Sequence, residues 1–243
     1  KDMDARFSRT ALLVGQEAID RLAACKVAVF GLGGVGGYAA EALARSGVGS
    51  LYIVDSDTVA PSNINRQLLA GDSTIGQLKT ELMKKRILDI NPKAEVVTDN
   101  RFYLPANSAS IDFHQFDYVI DAIDTVTAKI DIIHKASDAG TPIISAMGCG
   151  NRLDPELLEV TDLFSTADDP LARTMRRELR RLNITCLTVV CSREKPITPS
   201  PENYRPEDYR ASGRPVPGSS PFVPPAAGYL LASRVVRDLI KAR

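Results

Sequence analysis

Lys26-Val-Ala-Val-Phe30 runs directly into Gly31-Leu-Gly33-Gly34-Val-Gly36-Gly37; an alanine-rich stretch from Tyr38 to Ser46 follows, and Leu51-Tyr-Ile-Val54 ends on Asp55. The first and last runs are short, apolar and β-branched, and the stretch between them has helical periodicity, so the segment reads as strand, glycine turn, helix, strand. For two strands joined through a helix in this way a right-handed parallel crossover is expected. Gly31, Gly33 and Gly36 satisfy G-x-G-x-x-G in that setting, where backbone N–H groups and the positive end of a helix can hold a phosphate. The same glycines would also serve mere close packing of helix on strand. Asp55 tips the balance toward a nucleotide, because an acid at the end of the second strand is placed to accept hydrogen bonds from ribose hydroxyls.

The alternation continues outward from this unit. The pattern predicts a helix from Ile75 to Ile90 closed by Asn91-Pro92, a strand near Val96, a strand over Tyr118-Val-Ile120, a helix over 126–139, a strand from Pro142 to Ser145 and a sixth strand near Leu187 to Cys191. Repeated β-α alternation gives an α/β fold: a Rossmann-like, doubly wound, mainly parallel sheet. Residues 1–24 read as an amphipathic helical lead-in, with Leu12, Leu13, Ile19 and Leu22 on its apolar side. Nine of the 15 prolines fall between Pro196 and Pro225, too many for a helix or a central strand, so this segment is expected to be a long crossover ahead of a final helix from Ala226 to Ala242. The chain is thus read as one domain, with a nucleotide-binding core over 25–150, a substrate-facing half over 151–243 and an irregular C-terminal extension.

Composition narrows the function less than the motifs do. The 243 residues are 44% hydrophobic, ample for a core, and 30 basic residues balance 30 acidic ones, so no global charge advertises a nucleic acid. Cys25, Cys149, Cys186 and Cys191 without a signal peptide point to a reducing, cytoplasmic setting. Every long apolar stretch is broken by charge well short of the roughly 20 residues a bilayer crossing needs, so no membrane partner is expected.

Past Asp55 the chain reads Asp55-Ser-Asp57, Asn63-Ile-Asn-Arg66-Gln67 and Gly76-Gln77-Leu-Lys79, then Asp121-Ala-Ile-Asp124 at the end of a strand. A dinucleotide's pyrophosphate can be held largely by backbone donors, whereas a triphosphate that reacts needs fixed cations. Arg66 and Lys79 are candidates for those cations and Asp124 for a magnesium ligand. Each alone would pass for a surface charge; together, just past strand ends where α/β sheets bind ligands, they indicate ATP and Mg²⁺.

These five blocks, in order between residues 31 and 124, resemble the adenylation domain of the ubiquitin-activating superfamily. The resemblance implies the glycine loop (Gly31, Gly33, Gly34, Gly36) around the nucleotide, with Asp55 on the ribose, Asp57 and Gln67 nearby, Asn63, Arg66 and Lys79 on the phosphates and Asp124 holding Mg²⁺. Arg6-Phe-Ser-Arg9 is similar to the superfamily's N-terminal arginine, which implies a homodimer in which Arg9 reaches the neighbouring site. Thr125 stands where the superfamily usually has Asn, so the resemblance does not carry over that one polar contact.

The second half separates the branches. Members that activate sulfur-carrier proteins generally carry two C-x-x-C pairs for zinc; here Cys186 and Cys191 are too far apart and no second pair exists, so no zinc is expected. Cys191 reads as core, and nothing marks Cys149 as an activated thiolate. Arg173, Arg176, Arg177, Arg180 and Arg181 fall within one predicted helix and form a cationic stripe suited to an RNA backbone. This half resembles the branch that dehydrates N6-threonylcarbamoyladenosine in tRNA. The resemblance implies adenylation of the modification's carboxylate by ATP, ring closure by its own carbamoyl group and release of AMP. It leaves open a monovalent cation and a cysteine-desulfurase sulfur-transfer partner. Two alternatives stand beside it: an adenylyltransferase for a ubiquitin-like sulfur carrier, and a nucleotide-gated RNA-binding protein without chemistry. His114 and His134 read as surface residues rather than a general base.

Overall fold

The computed structural model describes residues 4–241. Seven strands form a single sheet in the order β3-β2-β1-β4-β5-β7-β6. They are β1 (Lys26–Phe30), β2 (Ser50–Val54), β3 (Glu95–Asp99), β4 (Tyr118–Asp121), β5 (Ile143–Ala146), β6 (Leu158–Asp162) and β7 (Thr188–Ser192). Every pairing is parallel except β6 with β7. The chain winds outward one way through β1, β2 and β3 and then returns to add β4 on the other side of β1. The switch point of the sheet therefore lies between the C-terminal ends of β1 and β4, where open α/β sheets bind ligands.

Alternation along the strands divides the core. Val27 and Val29 of β1 join the apolar cluster under α3 (Gly36–Arg45), α4 (Lys79–Ile90) and α7 (Val223–Lys241), while Ala28 and Phe30 join the opposite cluster against α5 (Val126–Asp138). Both faces are covered by helices, which explains why the parallel strands read as unbroken apolar runs. A third cluster packs α6 (Pro170–Arg181) against α5 and β7 through Met175, Leu179 and Val189.

Several expectations shift. The lead-in consists of two helices, α1 (Ser8–Val14) and α2 (Gln16–Ala24); Ile19 and Leu22 are buried, but Leu12 and Leu13 are 78% and 85% exposed. The helix expected from Ile75 begins at Lys79, because Gly76 is left-handed (φ +82°) and the backbone of Gly76 and Gln77 pairs with Val59 instead. Pro224 and Pro225 belong to the first turn of α7 rather than to the crossover, at positions where a helix needs no N–H donor. Ala242, the expected end of that helix, lies outside the described residues. Strand β6 was not expected: its half-exposed Leu158-Glu-Val-Thr-Asp162 is an antiparallel edge strand whose charges mask its alternation. Among the described residues no helix is long and apolar enough to cross a membrane.

Candidate active site

A cavity of about 680 Å³ opens at the switch point. Gly31 follows β1 with φ +91°, and a Cβ there would lie 2.7 Å from the carbonyl oxygen of Ala122 after β4. Gly36 would meet the Gly31 carbonyl oxygen at 1.8 Å. These two glycines let the turn fold onto itself, and Gly36 does not line the cavity. Gly33 and Gly34 do line it, and a Cβ on Gly33 would find its nearest neighbour, Gln67 Nε2, only at 3.6 Å. Gly36 thus serves packing alone, Gly33 and Gly34 form the cradle, and Gly31 belongs to both.

Asp55 is the fastener of this loop. Its Oδ2 accepts from the Leu32 N–H at 2.7 Å and its Oδ1 from the Asp57 N–H at 2.8 Å, and burial pushes its pKa up. Asp57 is exposed and pairs with the buried Lys79, Nζ to Oδ2 3.2 Å, while the Lys79 N–H donates to the Asp57 carbonyl. Starting α4 only at Lys79 is what brings this lysine into the crevice. Asn63 Oδ1 accepts from the Ala60 N–H and closes the turn that presents Arg66. The half-buried Arg66 donates to the Ser62 carbonyl and Asn65 Oδ1, both neutral, and burial lowers its pKa. Gln67 is buried beside them.

Asp124 stands on the opposite lip with its side chain 87% exposed. Below it lies a buried assembly that the sequence reading did not identify. Lys129 Nζ is 2.8 Å from Asp121 Oδ2, and both side chains are fully buried. Lys129 also donates to the Ile123 carbonyl, the Ile123 N–H donates to Asp121 Oδ1, and the Ser145 hydroxyl donates to Asp121 Oδ2. The loop carrying Asp124 is therefore tied down at both backbone groups of Ile123.

The far wall was also missed. Arg152 and Asp169 form a buried ion pair at 3.4 Å; Asp169 accepts from the Gly148 N–H and caps α6 at the Ala172 N–H, and Arg152 Nε donates to the Glu194 carbonyl. Glu194 in turn accepts from the Leu153 and Asp154 N–H groups. A lone Arg152 in a loop carries no periodic signal, so only the contacts expose it. Phe102, exposed at the mouth, adds an aromatic surface. Cys149 lines this wall, but burial pushes its thiol up to about 12, which leaves negligible thiolate near neutral pH.

The remaining candidates lie elsewhere. Arg9 is exposed on α1 and does not line this chain's crevice. On α6, Arg176 is bound to the carbonyl and hydroxyl of Thr166, and Arg177 and Arg181 both pair with Glu178, so the expected continuous stripe is broken. Exposed Arg173 and Arg180 remain turned to solvent, the latter over the Phe164 ring at 5.3 Å.

A family model described as the ThiF family matches residues 7–161. The chain is 42% identical to the tRNA threonylcarbamoyladenosine dehydratase of Bacillus subtilis, across 97% of this chain and 95% of that protein. The crystal structure of E. coli tRNA N6-threonylcarbamoyladenosine dehydratase in complex with ATP superposes with a TM-score of 0.87 at 32% identity, covering 97% of this chain and 94% of that one. Its complex with AMP gives the same TM-score, identity and coverage.

Proposed function

The chain belongs to the ThiF family, and from that premise we propose that it uses ATP to dehydrate N6-threonylcarbamoyladenosine beside the tRNA anticodon, releasing AMP and pyrophosphate. The observation that carries the reading is the convergence of a glycine cradle, Arg66, Lys79 and Asp124 on one crevice at the switch point. In the first step the threonyl carboxylate attacks the α-phosphorus of ATP. One carboxylate oxygen bonds to phosphorus, the bond from phosphorus to the bridging oxygen breaks, and pyrophosphate leaves with that electron pair. Arg66 and Lys79 neutralise the charge that develops on the phosphates. Asp124, an exposed carboxylate with free lone pairs, suits Mg²⁺, which takes one or two protein carboxylates beside phosphate oxygens and water. An ion held there would supply charge screening of the same phosphates.

In the second step the modification's own carbamoyl group closes on the activated carbonyl and expels AMP, so the nucleoside has lost one water. An enzyme nucleophile adds nothing here: a tethered attacking group reaches an effective molarity of about 10⁵ M or more, and the nearby Cys149 is held as a neutral thiol. Arg173 and Arg180 on α6 meet the tRNA backbone. Two copies associate through α1, where the exposed Leu12 and Leu13 lie beside Arg9, and Arg9 serves the neighbouring crevice. The reaction is cytoplasmic, where tRNA is modified.

The test incubates the protein with ATP, Mg²⁺ and tRNA bearing or lacking the threonylcarbamoyl group, then weighs the nucleosides and measures AMP. Loss of one water is expected only in modified tRNA and only with ATP. Lys79→Ala and Asp124→Ala should abolish AMP formation, and Asp124→Ala should melt like wild type because that side chain is exposed. Wild-type turnover in either variant overturns the assignment of the phosphate site.

A further inference from the structure

Among the described residues five cationic side chains line the crevice, and four of them hold a partner within 3.4 Å. Lys79 pairs with Asp57, Arg152 with Asp169 and Arg101 with Asp99, while Arg66 is bound to Ser62 and Asn65. Arg210, contributed by the proline-rich crossover, is different. Its guanidinium is 55% exposed, and its contact among the described residues is the Asp124 carboxylate, at 4.0 Å across the mouth.

The position of Arg210 is fixed by backbone. Tyr209 pairs with Pro215, the Arg210 N–H donates to the Arg214 carbonyl at 2.9 Å and the Val216 N–H to the Asp208 carbonyl at 2.8 Å, so Arg210 stands on a small hairpin. Both ends of the crossover are anchored to one residue. The Ile197 N–H donates to the Asn151 carbonyl, and Asn151 exchanges bonds with Gly218 through its N–H and its Oδ1. The hairpin is thereby held over the crevice wall from both feet.

Resting on the proposed function, we infer that Arg210 receives the carboxylate of the substrate nucleoside and sets the requirement for a free acid. A carboxylate approaching the α-phosphate beside Asp124 meets two like charges, and of the cations assigned to the phosphates Lys79 is buried and Arg66 half-buried, whereas Arg210 is exposed. A guanidinium suits the task because its planar fork matches a carboxylate with two parallel hydrogen bonds, which a lysine cannot reproduce. It already faces one carboxylate at this mouth. Arg210 is thus a residue of substrate selection, distinct from the phosphate-binding cations.

The test measures competition by free N6-threonylcarbamoyladenosine and by its carboxamide analogue against AMP release from modified tRNA. Wild type should prefer the acid by about tenfold or more, as a charge-assisted pair requires. Arg210→Gln should bring the two analogues within about twofold of each other and lower kcat/KM for modified tRNA by about fivefold or more, with the Kd for ATP unchanged. Arg210→Lys should fall between. Arg214→Gln, on the same hairpin, should behave as wild type, which separates a charge contact from a disturbed crossover. An undiminished acid preference in Arg210→Gln overturns the inference, as does equal loss in Arg214→Gln. Failure of wild type to release AMP with modified tRNA would instead overturn the reaction itself.

Discussion

Replacing Lys129 by Met tests whether the buried pair beneath the crevice is what fixes Asp124 at its mouth. The substitution keeps the stem and deletes the charge, so little cavity is created. It leaves the fully buried Asp121 carboxylate with only the Ser145 hydroxyl at 2.5 Å and the Ile123 N–H at 3.2 Å, and it removes the donor to the Ile123 carbonyl. Breaking a buried pair from one side costs about 3–5 kcal/mol, because one charge stays behind in low dielectric. At about 2–4 °C per kcal/mol for a domain of this size, the melting temperature should fall by roughly 6–20 °C. The double variant Asp121→Asn with Lys129→Met removes both charges and should recover at least half of that loss. AMP release, measured well below the melt, should also fall, since the loop carrying Asp124 has lost a tether. Ile132→Ala on the same helix is the control: it is fully buried, costs about 2–5 kcal/mol and touches none of these bonds. It should melt similarly and keep its rate. A Lys129→Met protein that melts within about 2 °C of wild type refutes the stability argument; one that loses no more activity than Ile132→Ala refutes the positioning argument.

Two further outcomes follow from the same geometry. Gly36→Ala would place a Cβ 1.8 Å from the Gly31 carbonyl oxygen, a backbone atom that cannot rotate away, so it should cost about 3 kcal/mol or more in urea unfolding. Gly33→Ala has ordinary room at 3.6 Å and should unfold like wild type, yet weaken ATP binding by about tenfold in calorimetry, because its methyl group enters the cradle. On α6, Arg173→Ala with Arg180→Ala should flatten the logarithmic salt dependence of tRNA binding by about 2. Arg177→Ala with Arg181→Ala should leave the slope nearly unchanged, because Glu178 already compensates both. Equal slopes in the two double variants would remove α6 from the tRNA surface.

What the sequence made legible depended on how local each signal was. The βαβ unit over residues 26–55 could be read because periodicity, glycine turn and terminal acid lie within one short span, and β1, α3 and β2 form there. Gly33, Asp55, Arg66, Lys79 and Asp124 were readable because each sits at a strand end or in a short motif, and all five line the crevice. The illegible parts are those whose meaning comes from a distant partner. Lys129 looks like the solvent side of an amphipathic helix until β4 and β5 bring Asp121 and Ser145 beneath it. Arg210 lies 86 residues from Asp124, in a segment whose prolines say only that it is neither helix nor strand. The arginine stripe is altered for the opposite reason: the spacing places all five arginines on α6, but Thr166 and Glu178 hold three of the side chains that the spacing lines up.

The pairing of charges also bears on how a chain of zero net charge would hold a triphosphate under the proposed reaction. Lys79, Arg101, Arg152 and Arg210 each face a carboxylate, so the crevice carries little excess charge and its cations need not repel one another during folding. Arg66 is the exception, with only the neutral Ser62 carbonyl and Asn65 Oδ1 as partners and with burial already lowering its pKa. An ion so placed has given up water without gaining an opposite charge, and the anion that reaches it recovers the largest share of that cost. Under the proposed reaction the phosphates are that anion. Under that reaction Arg66 should contribute most to nucleotide affinity, and the compensated Lys79, which would exchange Asp57 for phosphate, should respond more to where the charge moves as the α-phosphorus is attacked.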